Sequence, residues 1–96
     1  MDLQHQPTFE WDEDKAALNI AKHGVSFEAA IQVFADPERL EEVDRRRDYG
    51  EARFNTIGVV DGFHLTVTWT PRRGVARIIS ARRASREERE RYGHHP

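Results

Sequence analysis

The segment from Arg53 to Thr70 constrains this chain more than any other. Asp61-Gly62 separates two runs, Arg53–Val60 and Phe63–Thr70, that are rich in β-branched and aromatic residues. Asp-Gly favours a two-residue hairpin turn, because both central positions need positive φ. The second run alternates: Leu65, Val67 and Trp69 share one face, and His64, Thr66, Thr68 and Thr70 share the other. A period of two therefore builds one face for a core and the opposite face for polar contacts. A lone hairpin is marginal in water, so the remaining chain must cover the apolar face.

The flanking segments supply that cover. Met1–Pro7 is polar and aperiodic and is expected as a loose tail. Thr8–Trp11 fits a short edge strand. Asp12 is an N-cap, Glu13 and Asp14 suit the positive end of the helix dipole, and Gly24 is a C′ residue. Between them Ala17, Leu18, Ile20 and Ala21 form an apolar stripe, with Lys15, Asn19, Lys22 and His23 on the other side. Ser26 caps a second helix with Phe27, Ala30, Ile31 and Phe34 at the spacing of a buried face, and Asp36-Pro37 stops it. Leu40–Val43 reads as a short strand, and Asp44–Gly50 as a polar loop holding Arg45, Arg46 and Arg47. Pro71–Gly74 turns the chain into a strand over Val75–Ala81. Ser85 and Glu88 form a capping box for a last helix reaching Tyr92, with Gly93 as its end.

The expected fold class is α+β: a small antiparallel sheet, two N-terminal helices and one C-terminal helix, with the helices on one face. Ninety-six residues hold one such domain, taken as 8–93 between tails 1–7 and 94–96. Trp11, Trp69 and the phenylalanines are expected in its core.

Charge narrows the function. The net charge of −2 conceals an asymmetry: residues 1–71 carry seven Lys and Arg against fourteen Asp and Glu, whereas 72–96 carry eight arginines against Glu87, Glu88 and Glu90. Thirteen of the fifteen basic residues are arginine, whose planar fork fits phosphate and carboxylate bidentately. Two partner classes follow, a polyanion such as RNA or an acidic protein surface. Cysteine is absent, which excludes disulfides, thiolate metal sites and a cysteine nucleophile. No run approaches the roughly 18–20 apolar residues of a membrane span, and Met1–Glu10 has no secretory pattern, so a cytoplasmic protein is expected. His94-His95-Pro96 offers two ligands on a frayed end, which reads as a non-functional tail rather than a metal site.

Three stretches together resemble the BrnT toxins. They are Phe9-Glu10-Trp11-Asp12 with Lys15, Asn19 and Lys22-His23-Gly24-Val25-Ser26-Phe27; Gly50-Glu51-Ala52-Arg53-Phe54 with Ile57-Gly58; and Arg77-Ile78-Ile79-Ser80-Ala81-Arg82-Arg83-Ala84 with Glu88-Arg89-Glu90 and Tyr92. The resemblance implies a RelE-like fold and a ribonuclease toxin of a type II toxin–antitoxin module. It implies neutralisation by a BrnA-like antitoxin in a 2:2 heterotetramer, with operator DNA bound only through the antitoxin.

RNA carries its own nucleophile, the 2′-OH. Cleavage needs a base for that proton, positive charge on the phosphorane-like transition state and an acid for the leaving 5′ oxygen, and no metal or other cofactor is expected. Candidate catalytic residues are Glu51, Arg53, Arg82, Arg83, Lys22 and His23; candidate RNA-binding residues are Arg72, Arg73, Arg77 and Tyr92. Glu51 and Arg53, two apart at a strand start, share a face and form either a catalytic pair or a surface ion pair. Arg82 and Arg83 stand where the last strand meets a helix N-terminus, a place that attracts anions. Arg77 has the parity of Val75, Ile79 and Ala81 and is expected to be largely buried and paired. His23, with Lys22, fits either proton transfer or capping of a helix C-terminus. Tyr92 either stacks on a base or seals its helix. The alternative function is a catalytically weak co-repressor subunit whose arginines mainly bind the antitoxin.

Overall fold

The computed structural model describes residues 8–45 and 50–94. The Met1–Pro7 tail, Arg46 and Arg47 of the polar loop, and His95-Pro96 lie outside the described residues. In chain order the elements are β1 Phe9–Glu10, α1 Glu13–His23, α2 Phe27–Ala30, a 3-10 helix Ile31–Ala35, β2 Leu40–Val43, β3 Phe54–Val60, β4 Phe63–Arg72, β5 Val75–Arg83 and α3 Arg86–His94. The fold is α+β, with one five-stranded sheet ordered β1-β5-β4-β3-β2. It is a mixed sheet rather than an antiparallel one, because β1 runs parallel to β5. No helix among the described residues is long and apolar enough to cross a membrane.

The turns follow the sequence signals. Asp61 and Gly62 both take positive φ, and so do Arg73 and Gly74. The second hairpin is longer than expected: β4 continues through Pro71 to Arg72, paired with Val75. Pro71 is tolerated in the strand because β3 ends its pairing at Trp69, so no partner on that side needs its missing N–H.

The helices depart further from expectation. Asp12 and Ser26 cap as anticipated, and Gly24 closes α1 at φ 71°. However, α1 buries Ala16 and Asn19, while Leu18 is 68% and Ile20 50% exposed. The expected apolar stripe thus faces outward. Asn19 is what turns the helix: its Nδ2 donates to the carbonyls of Ala81 at 2.8 Å and Val25 at 2.9 Å, and its Oδ1 accepts from Ala81 N at 3.1 Å. The side chain satisfies both backbone groups of Ala81 on the edge that two-residue β1 leaves open, which any buried strand edge requires.

The second helix keeps α geometry for only four residues before tightening to 3-10. Phe27, Ala30 and Val33, spaced by three, are fully buried, whereas Ile31 and Phe34 pack at the margin. Gly58 of β3 makes the close approach possible, since a Cβ there would stand 2.9 Å from Val33 Cβ. The core joins these residues to Leu65, Val67, Ile78 and Ala81. Trp11 and Trp69 border it, but Phe63 is 51% exposed and not a core residue.

The helices are not confined to one face. Helix α3 lies across the polar face, where Glu88 accepts from Thr66 Oγ1 at 3.0 Å and Tyr92 meets the His64 ring edge-on. It continues through Gly93 to His94, two residues beyond the expected end at Tyr92.

Candidate functional site

The polar face of the sheet gathers Arg72, Arg77 and Arg82, with the Glu51–Arg53 pair beside them, and a bulge in β5 explains how Arg77 and Arg82 come to share it. Thr70 opposes Arg77 and Trp69 opposes Ile78, but Thr68 opposes Ser80, leaving Ile79 as an extra residue. The bulge inverts parity along β5, so Arg77, Ser80 and Arg82 share the face of Thr66, Thr68 and Thr70 although Arg77 and Arg82 are five apart. Uniform alternation put Arg77 with Ile79 and Ala81, and that grouping does not hold.

Beneath these side chains the floor is hydrogen-bonded. Thr68 Oγ1 donates to Asn55 Oδ1 at 2.7 Å, and Thr70 Oγ1 to the Ala52 carbonyl at 2.6 Å. No buried side-chain N or O atom among the described residues lacks a partner. Such a floor holds the residues above it in fixed orientation.

The arginines above the floor are held by carboxylates. Arg77 Nη1 meets Glu10 at 2.6 Å; Glu51 receives Arg53 Nε at 3.3 Å and Arg72 Nη2 at 3.8 Å. Arg82 is bound most tightly, with Nη1 and Nη2 donating to Glu88 at 2.7 and 3.0 Å. Glu88 also accepts the Ser85 N–H of its capping box at 2.8 Å. Burial alone raises the Glu88 carboxyl, but the bonds from Arg82, Ser85 and Thr66 outweigh it and hold the pKa at about 2. The anion-attracting start of α3 is therefore already filled by its own carboxylate.

Glu88 occupies only one side of the Arg82 guanidinium. A further Nη1 hydrogen reaches the Arg83 carbonyl at 3.3 Å. The Nε–H has no partner among the described residues, and Nη2 keeps a second hydrogen. These two N–H groups lie on one edge, the paired-donor geometry that fits two oxygens of a phosphate. The side chain as a whole is 33% exposed.

Beside this face, across the free edge of β5, lies a cleft of about 530 Å³ lined by Lys15, Leu18, Lys22, His23, Ile79 and Ser80. Lys15, Leu18 and Lys22 follow the 0, 3, 7 spacing of one helix flank. Neither lysine has a carboxylate partner among the described residues. Ser80 belongs to both surfaces, and two residues along β5 put Arg82 about 7 Å farther on. Lys15 was not singled out for chemistry from the sequence; its spacing with Lys22 was the available signal.

Three candidates stand apart. Arg83 projects to the opposite face, where it lies 4.4 Å over the Phe63 ring, because adjacent strand residues point oppositely. Arg73 sits in the exposed β4–β5 turn. Tyr92 donates to Asp36 Oδ2 at 2.7 Å, and burial, reinforced by that carboxylate, pushes its pKa up to about 12. Asp36 also accepts Val59 N–H at 2.8 Å, so Tyr92 fastens α3 to β3. Among the described residues no three His, Asp or Glu side chains are grouped to hold a metal ion.

Comparison with known proteins adds one match. Residues 11–88 match the family model described as "Ribonuclease toxin, BrnT, of type II toxin-antitoxin system". A search of curated proteins finds no match.

Proposed function

Because the chain belongs to the BrnT family of ribonuclease toxins of type II toxin–antitoxin systems, we propose that it is a metal-independent endoribonuclease that works on the polar face of its sheet. Arg82 carries the reading. Glu88 orients its guanidinium, and the open Nε–Nη2 edge receives the scissile phosphate. A donor aimed in advance at developing charge is the largest single contribution in many enzymes, and withdrawing one costs about 10²–10³ in rate. Lys15 and Lys22 supply uncompensated charge along the RNA backbone. Arg77, with one Nη1 bond to Glu10, adds a second guanidinium on the same face.

His23 is the proton-transfer group of this reading, since it lines the cleft that meets the polar face at Ser80. A 2′-OH placed there gives its proton to the His23 imidazole and attacks the adjacent phosphorus; the bond to the 5′ oxygen breaks, and that oxygen takes up a proton from water. The products are a 2′,3′-cyclic phosphate and a 5′-hydroxyl. Glu51, gripping Arg53 and Arg72, holds the far end of the binding surface.

The remainder of the reading follows the family. The fold is RelE-like, the protein acts in the cytoplasm, and a BrnA-like antitoxin neutralises it in a 2:2 assembly that reaches operator DNA through the antitoxin. Incubating purified protein with total RNA in excess chelator and mapping the new ends is the test. Cleavage with cyclic-phosphate ends is expected; activity lost to chelator and restored by magnesium overturns the metal-free mechanism.

A further inference from the structure

The sheet face opposite Arg82 carries a second surface, separate from the proposed RNA site. A groove of about 480 Å³ opens between the end of α1 and the β3–β4 hairpin. Its apolar walls include Ile20, Val60, Phe63 and Leu65. Ile20 and Phe63, about half exposed, are two of only four large hydrophobic side chains left in solvent among the described residues. Apolar side chains exposed together along one groove, rather than scattered singly, are a feature of interaction sites.

Its two ends differ in charge. Strand order places Arg83 of β5 on one side and Asp61, in the turn after β3, on the other. Arg83 is braced on the Phe63 ring and has no carboxylate partner among the described residues, whereas Arg77 and Arg82 of the same strand each have one. A polyanion fits poorly, because the walls are apolar and Asp61 repels phosphate. Nor does this chain present a matching ridge among its described residues. Its other exposed large hydrophobics, Leu18 and Val43, sit singly, on the far flank of α1 and on edge strand β2.

We infer that the groove seats an amphipathic helical segment of the antitoxin, whose aliphatic side chains cover Ile20 and Phe63, whose carboxylate meets Arg83 and whose cation meets Asp61. The inference rests on the toxin–antitoxin reading above for the identity of the partner. It also separates neutralisation from catalysis, because the docking groove and Arg82 lie on opposite faces.

The test uses the full chain, the double variant Ile20→Glu, Phe63→Ser, the single variant Arg83→Glu, and the purified antitoxin of its type II module. Isothermal titration measures antitoxin binding, RNA cleavage measures activity, and circular dichroism verifies folding. The double variant is expected to cut RNA like the unsubstituted chain, bind antitoxin about 30-fold more weakly and escape neutralisation. Arg83→Glu, folded and active, is expected to weaken binding about 10-fold, with the loss shrinking at high salt. Unchanged antitoxin affinity in both variants overturns the inference. So does sedimentation showing a self-dimer of the free chain that the double variant abolishes while antitoxin affinity stays the same. If the unsubstituted chain captures antitoxin and the variants do not, but no chain cuts RNA, the groove assignment stands and the ribonuclease reading falls.

Discussion

Replacing Glu88 by Gln tests how Arg82 is held. The carboxylate receives two N–H groups of Arg82, the Ser85 amide and the Thr66 hydroxyl. Glutamine keeps one acceptor oxygen but turns an amide toward the guanidinium, donor against donor, and leaves Arg82 without its counter-charge. The size of the effect follows from the folded-state pKa, lowered from 4.5 to about 2. At 1.36 kcal/mol per unit this linkage is worth about 3 kcal/mol. The folded value is depressed, so the stabilisation is fully present above pH 4.5 and is lost as pH falls toward 2. Urea unfolding followed by the fluorescence of Trp11 and Trp69, between pH 7 and pH 2, measures it. At pH 7 the variant should be less stable by about 3 kcal/mol, a fall in Tm of roughly 15 °C for a domain this size. That gap should close as acid protonates Glu88 in the unsubstituted chain. A gap that does not change with pH, or no gap at pH 7, refutes the assignment of Glu88 as the anchor of Arg82.

Two further substitutions test the fold that supports the face. Asn19→Ala removes three hydrogen bonds and strands both backbone groups of Ala81; a loss of about 3 kcal/mol is expected in denaturant titration, with faster amide exchange at Ala81. Gly58→Ala drives a methyl against Val33 Cβ and the Val33 carbonyl oxygen at 2.9 and 3.0 Å; thermal unfolding should show a loss of about 1–3 kcal/mol, and an unchanged Tm would mean the 3-10 segment yields freely.

How much of this was legible in the sequence depended on how local the physics is. Asp61-Gly62, the Asp12 and Ser26 caps, Gly24 and the Ser85–Glu88 box act over two to four residues, and each appears in the structure where its residues predict it. Helix α1 was misread because its most important contact is polar. Periodicity ranks Leu18 and Ile20 above Asn19, yet the open edge of β5 needs an amide more than the core needs a leucine. The grouping of Arg77 with Arg82 was hidden by the bulge at Ile79, a property of the β4–β5 pairing rather than of either strand alone. The neighbours Arg82 and Arg83 read as one anion site; strand alternation sends them to opposite faces. The parallel pairing of β1 is likewise non-local, fixed by two residues that meet Ala76 and Arg77.

The central claim is that the open edge of the Arg82 guanidinium, rather than positive charge in general, receives the scissile phosphate. Measuring single-turnover RNA cleavage by Arg82→Lys tests it most directly, since lysine keeps the charge but offers no paired donors. With circular dichroism showing a folded chain, the rate should fall about 10²–10³-fold. A rate within a few-fold of the unsubstituted protein contradicts the account.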